Sequence, residues 1–181
     1  MKLKAVQHDT LIDAGRFDLR PIRTSDAGLL ALYGGDRRVA WNTTDIPHPL
    51  PPGTAEAFID RVVDTEHHED VWVMDATRMG GAEVMGVIGL ERMDREQSEI
   101  GYWVAPAYWN SGVASTAVEA ILQANPQKAR TIFASVFQDN AASARVLTIC
   151  GFEYLGDAES FSVARNSTVP TWTYSRKSPD V

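Results

Sequence analysis

Glu99-Ile-Gly-Tyr-Trp-Val-Ala-Pro106, then Trp109-Asn-Ser-Gly-Val-Ala-Ser115, then Asn140-Ala-Ala-Ser-Ala-Arg-Val-Leu147 and Cys150-Gly-Phe152 follow one another along the chain. The first run reads as a strand. The second is a short turn whose backbone amides open a helix, and the third is a helix that starts at Asn140 and stops at Gly151. A helix N-terminus presents unpaired N–H groups and a partial positive charge, which suits a phosphate. Gly112 lets a ligand approach the backbone closely, because it has no Cβ. By itself the turn reads equally as a glycine ending a loop before a helix. With Asn140-x-x-Ser143 present, a cofactor site is the stronger reading. The chain has no Gly-x-Gly-x-x-Gly and no Walker A lysine, which argues against a dinucleotide or P-loop site.

Outward from this stretch the pattern alternates strands and helices. Phe17–Ile22 alternates apolar and polar residues as a strand does, and Thr24–Asp26 offers N-caps for a helix through Leu29, Leu30, Leu32 and Tyr33, stopped by Gly34 and Gly35. Trp41–Gly53, with four prolines from Pro47 to Pro52, reads as a loop. Thr54 is the expected cap of a helix carrying Ala57, Phe58, Ile59, Val62 and Val63. Val71–Asp75, Val84–Leu90 and Glu99–Val104 read as an antiparallel meander in mid-sheet. The helix after Ser111 places Val113, Ala117, Ile121 and Ala124 on one face and ends at Asn125-Pro126. Thr131–Val136 follows a helix, so a strand parallel to Glu99–Val104 is expected. Two last strands lie near Glu153–Leu155 and Thr171–Arg176, and residues 1–16 read as a lead-in with little core to contribute.

Composition narrows the function classes. At 181 residues, with 44% hydrophobic and 23% charged residues, the chain suits one globular domain over 1–181. A net charge of −7 argues against a nucleic-acid partner and mildly favours a cationic one, although acidity for solubility alone explains it as well. The lone Cys150 excludes an internal disulfide framework and reads as core, consistent with a cytoplasmic setting. No apolar run is long enough to span a membrane, and the N-terminus lacks a signal-peptide core. His67-His68 with Glu66, Glu69 and Asp70 lacks a metal-ligand spacing and reads as a solvated helix end, so no metal is expected.

The three motifs together resemble the GNAT superfamily of acyl-CoA-dependent N-acetyltransferases, closest to the branch that acetylates the N-terminal amine of ribosomal proteins. Asn140, Ser143, Arg145, Leu147, Gly151 and Phe152 match that family's later signature. Trp109–Ala114 matches its phosphate turn, except that Trp109 stands where Arg or Gln is usual. Leu19–Asp26 looks like its first strand and helix start. The resemblance spans 17–174 and implies an α+β fold: a mixed, mostly antiparallel sheet of six or seven strands, helices on both faces and a splayed central strand pair. It implies acetyl-CoA as co-substrate, held by the amides of Asn110, Ser111, Gly112, Val113, Ala114 and Ser115, by the backbone of Val104 on a bulged strand, and by Asn140, Ser143 and Arg145. The Ser111 and Ser115 hydroxyls add donors. Gly101 fits a strand distortion, or else makes room for an aromatic neighbour. Asn140 also reads as a plain N-cap, and Arg145 as a surface ion pair.

Glu99 sits where histone-type members carry a catalytic glutamate. It reads either as the base that takes the amine proton or as a salt-bridge partner of Arg92 or Arg95. The resemblance implies an acidic tyrosine where Leu147 stands, which leaves Ser143 as the candidate acid, or only as a hydrogen-bond donor to the departing sulfur. Trp41, His48 and Trp103 are the candidate acceptor-site residues; His48 reads more readily as structural, and Trp103 and Tyr102 as core. The expected reaction is direct transfer in a ternary complex to a primary amine, such as a protein N-terminus. The competing readings are a small-molecule amine acceptor, a non-catalytic acyl-CoA-binding module, and an unrelated α/β nucleotide binder. A homodimer is the assembly the resemblance brings.

Overall fold

The computed structural model describes residues 10–64 and 68–179. Glu66 and His67 of the charged helix end, and residues 1–9, lie outside the described residues. Eight strands form one sheet: β1 Ile12–Asp13, β2 Asp18–Pro21, β3 Glu69–Asp75, β4 Gly86–Met93, β5 Gln97–Val104, β6 Thr131–Phe137, β7 Glu153–Ser162 and β8 Ser167–Lys177. Their order is β1-β2-β3-β4-β5-β6-β8-β7, and β5–β6 is the parallel pair among antiparallel neighbours. The helices are α1 Ala27–Gly34, α2 Arg37–Ala40, α3 Thr54–Val63, α4 Val113–Ala124 and α5 Ala141–Ile149.

Strand alternation divides the core between two faces. Leu19, Trp72, Met74, Ile88, Leu90 and Ile100 pack under α4 and α5, with Val113, Ala117, Val118, Ile121 and Leu147. Val71, Val73 and Val87 face the opposite way and pack with Leu30 of α1 and Ala55, Ile59 and Val62 of α3. Helices therefore cover both faces, as expected. Cys150 is buried in the first cluster, and burial pushes its thiol up to about 11, in line with a core residue.

The sheet has eight strands rather than six or seven, because residues before Phe17 contribute more than a lead-in. Ile12 is buried, and β1 pairs with β2 through Ile12–Leu19 and Asp13–Asp18. The last two strands run much longer than their apolar runs suggest. β7 is an edge strand, largely exposed, so its polar half carries no burial pattern to read. Thr54 is the first residue of α3 and Gly53 its cap. Ala124 is exposed, and Val118 fills the buried face of α4 instead.

The buried face of β2 is not apolar throughout. Arg20 is 3% exposed and is held by Asp26 at 2.8 Å and Asp75 at 2.6 Å. Asp26 also accepts from the Arg23 N–H, which locks the entry to α1. These ion pairs hold the Arg20 guanidinium above its ordinary pKa, with the Asp26 hydrogen bond as the largest cause, so its charge is permanent.

Candidate functional site: a splayed strand pair between two helix starts

Parallel pairing of β5 with β6 covers Gln97–Thr131, Ser98–Ile132 and Glu99–Phe133, and then ceases. Beyond Glu99 the two strands part, so Gly101–Val104 and Ser135–Phe137 flank a gap. The closed end is fixed by a buried polar network. Ser98 Oγ donates to Gln127 Oε1 at 2.6 Å, and Gln127 Nε2 donates to Asp70 and to the Leu90 carbonyl. The β4–β5 register is unbroken from Gly86–Val104 to Met93–Gln97, so the bulge expected on this strand is absent. β6 likewise keeps an unbroken register with β8 from Thr131–Lys177 to Phe137–Thr171, so the two strands part without a bulge in either ladder.

At the open end lies the turn into α4. Asn110 at φ 58° and Gly112 at φ 76° both adopt the left-handed conformation, which aims successive amides to one side in the manner of an anion nest. The first satisfied helical donor is Thr116 N–H, on the Gly112 carbonyl, so the amides of Val113, Ala114 and Ser115 have no intrahelical acceptor. The two hydroxyls turn inward in this structure. Ser111 Oγ donates to the Tyr108 carbonyl and Ser115 Oγ to the Gly112 carbonyl at 3.2 Å, so both close the turn itself. Trp109, at the position of the missing Arg or Gln, donates its indole N–H to the Val104 carbonyl at 2.7 Å. Of the Val104 backbone, the amide is then the group left for a ligand. The donor set of amides around a side-chain-free glycine fits a diphosphate.

Asn140 caps α5: its Oδ1 accepts from Ser143 N–H at 3.3 Å. Ser143 Oγ meets the Tyr102 phenol at 2.8 Å. Burial pushes the Tyr102 pKa up to about 12, so the phenol stays protonated at any physiological pH. Leu147, where the tyrosine of the motif would stand, is fully buried one turn later on α5. Tyr102 instead reaches this helix from β5, a contact that strand alternation hints at but cannot place. Arg145 is exposed and has no ion-pair partner among the described residues.

The other face of β5 carries Glu99, Gly101 and Trp103. Glu99 is half-buried. Among the described residues it forms no ion pair with Arg92 or Arg95; it faces Glu91 directly across the β4–β5 ladder. Burial, then the Glu91 charge and the Asp45 charge, raise its pKa above the ordinary glutamate value. A Cβ at Gly101 would meet nothing within 4 Å, and this central-strand residue is exposed, so open space lies between Glu99 and Trp103. Trp103 packs on the cluster of α1 and α3, near Gly34 and Ile46.

The loop over this face is pinned from afar. Arg165, at the tip of the β7–β8 hairpin, donates to the Trp41 carbonyl at 2.9 Å and forms a bidentate pair with Asp139. The Val163 N–H donates to the Thr44 carbonyl. Arg165 and Arg37 both stack on the Trp41 ring, at 5.1 and 4.6 Å, so that indole is already engaged. His48 is exposed and its Nδ1 lies 3.1 Å from the Gly35 carbonyl, which places the ring proton on Nδ1 and ties the residue to the end of α1. Trp103 and the loop are thus brought together. Trp41 and His48 make structural contacts, and Asp45, Glu91, Tyr102 and Arg165 join the site without any motif to announce them. Among the described residues no group of three or more His, Cys, Asp or Glu side chains is placed to hold a metal.

The chain is similar to proteins of known family. A model of the acetyltransferase (GNAT) domain matches residues 16–153. The chain is 30% identical over 174 residues to an uncharacterized N-acetyltransferase of Bacillus subtilis (strain 168), covering 93% of this chain and 97% of the relative. Its fold matches the ribosomal-protein-S5-alanine acetyltransferase from Vibrio fischeri with a TM-score of 0.77 at 20% identity, over 95% and 98% of the two chains. It matches a spermidine N-acetyltransferase from Vibrio cholerae, solved with CoA and spermine, with a TM-score of 0.75 at 15% identity, over 90% and 96%. The match of the domain model across most of the chain, and of one relative across nearly all of it, shows that this chain belongs to the GNAT acetyltransferase family.

Proposed function

We propose that this acetyltransferase, acting as one domain over 1–181, moves an acetyl group from acetyl-CoA to a primary amine by direct transfer in a ternary complex. The observation that carries this reading is the parted β5–β6 pair, with free amides at one end and a half-buried carboxylate on the opposite face. The amides of residues 110–115, the Val104 N–H and the start of α5 are the groups to hold the cofactor, with Arg145 nearby on α5. When bound, the cofactor supplies a thioester whose C–S bond breaks as the new C–N bond forms. A turn of preorganised amides supplies positioning, which is worth several kcal/mol of a transfer barrier.

Glu99 takes the proton of the incoming ammonium, and its raised pKa makes it a better base at neutral pH than an exposed glutamate. Ser143 donates its hydroxyl proton, or a hydrogen bond, to the departing sulfur. Tyr102 holds that hydroxyl in place and, remaining protonated, can restore its proton. Base and acid thus reach the gap from opposite faces of the sheet. Glu99, Glu91 and Asp45 favour a cationic acceptor. A protein N-terminal amine is the first reading, because of the motif resemblance, and a polyamine is the second, because three carboxylates suit more than one ammonium group.

Calorimetric titration with acetyl-CoA, of the wild type and of a folded Gly112→Trp variant, tests the cofactor half. Saturable binding that the variant loses supports it, and no binding by wild type overturns it. The acceptor half is tested by comparing kcat/KM for spermidine with that for an alanine-starting peptide. Gly101→Val, whose Cβ would have nothing within 4 Å, should raise the acceptor KM at least severalfold and leave the acetyl-CoA affinity unchanged. Unchanged acceptor kinetics in this variant would remove that face of β5 from the acceptor site.

A further inference from the structure

Between Arg95 and Lys128 the chain has no lysine or arginine, so the turn 109–115 and all of α4 bring no cation of their own to a phosphate site. One is brought from elsewhere. Arg16 Nη1 donates to the Ser111 carbonyl at 2.7 Å, across 95 residues of sequence. A Cβ built on Gly112 would lie 3.3 Å from the same nitrogen, so the guanidinium rests directly over the nest.

Its backbone is held in place. Arg16 sits in the tight turn between β1 and β2, where Ala14 N–H donates to Phe17 O and Arg16 N–H to Ala14 O. Ile12 and Phe17 on either side are buried in the same cluster as Val113 of α4. The side chain is exposed, and among the described residues no carboxylate pairs with it. Arg38, the other guanidinium at this end, lies 5.8 Å from the Trp109 ring but is already paired with Asp36 at 2.8 Å.

We infer that Arg16 is a phosphate-binding residue of the acyl-donor site, its remaining guanidinium donors gripping the cofactor diphosphate over the 109–115 turn. It fills in space the charge that Trp109 leaves missing in sequence. The planar fork suits this role, because one N–H fixes its orientation on a carbonyl while the others stay available to an anion. The inference rests on the cofactor reading above.

The test is calorimetric titration of wild type, Arg16→Gln and Arg16→Lys with acetyl-CoA and with S-acetylpantetheine, which lacks the phosphates, at low and moderate salt. Arg16→Gln removes the charge and keeps a polar side chain. It should bind acetyl-CoA about tenfold more weakly, as loss of a charge-assisted hydrogen bond implies, and with a shallower salt dependence. Its affinity for S-acetylpantetheine and its melting temperature should not change. Arg16→Lys should recover part of the loss. Equal acetyl-CoA affinity and salt slope in wild type and Arg16→Gln would reduce Arg16 to a staple on the turn. An equal loss for both ligands would mean a loosened turn and would also overturn the inference. Failure of wild type to bind acetyl-CoA at all would instead sink the cofactor reading on which it rests.

Discussion

Glu99 shows how one residue acquires its chemistry from surroundings that the sequence does not display. Its spacing before Val104 was legible, and so was its choice between base and salt-bridge partner. The salt-bridge reading fails for Arg92 and Arg95, because the strand register sets Glu91 opposite and the loop brings Asp45 near. A carboxyl whose folded pKa lies above its unfolded value binds protons more readily when folded. It therefore destabilises the fold progressively as pH rises from the unfolded value through the raised folded one. Glu99→Gln should then raise the melting temperature at pH 7–8, by roughly 1–3 °C, while lowering kcat at least tenfold. It should also remove the acidic limb of the kcat/KM profile, which in wild type falls as pH drops through the raised Glu99 pKa. A variant that loses stability at pH 8, or keeps the limb, would place the base elsewhere.

Among the elements, the β7–β8 hairpin was the hardest to foresee. Its polar, exposed edge strand gives no burial alternation, and only Glu153–Leu155 at its start and Thr171–Arg176, the part of β8 beside β6, read as strand. Yet its tip holds the loop after α2 through the Trp41 and Thr44 carbonyls. The Arg165 side chain is 9% exposed and joins Trp41, Phe137 and Asp139. Its bond holds the Asp139 carboxyl below the usual carboxylate range. Arg165→Ala should raise the acceptor KM severalfold, leave acetyl-CoA affinity within about twofold, and cost about 1–3 kcal/mol of stability from the unpaired groups it leaves. Denaturant titration and two-substrate kinetics measure these separately. The turn 109–115 is the opposite case. Gly112 and the Asn140 cap are local devices, and both stand where their motifs predict them.

At the scale of the molecule, the sheet and the start of α1 meet around a buried ion cluster rather than around apolar contacts alone. Phe17–Ile22 reads as a strand with a wet face, but both of its faces are covered, so Arg20 is buried with Asp26 and Asp75. Removing one partner leaves a charge without compensation. Asp26→Ala should cost about 3–5 kcal/mol, read as a lower denaturation midpoint with an unchanged m-value, although Asp26 lies on neither face of the gap.

Short-range signals in the chain suffice for the strand–turn–helix of 99–124, the capped helix from Asn140 to Gly151, the parallel crossover and the family they signal. Each depends on a few neighbouring residues, where propensity, capping and alternation act directly. Packing was needed to establish where β5 and β6 part, which carboxylates surround Glu99, that Tyr102 meets Ser143, and that Arg16 and Arg165 reach across the chain to the turn before α4 and the loop after α2. These contacts join residues far apart in sequence, and they depend on register and on which faces become covered. No local pattern encodes a partner that only packing brings near.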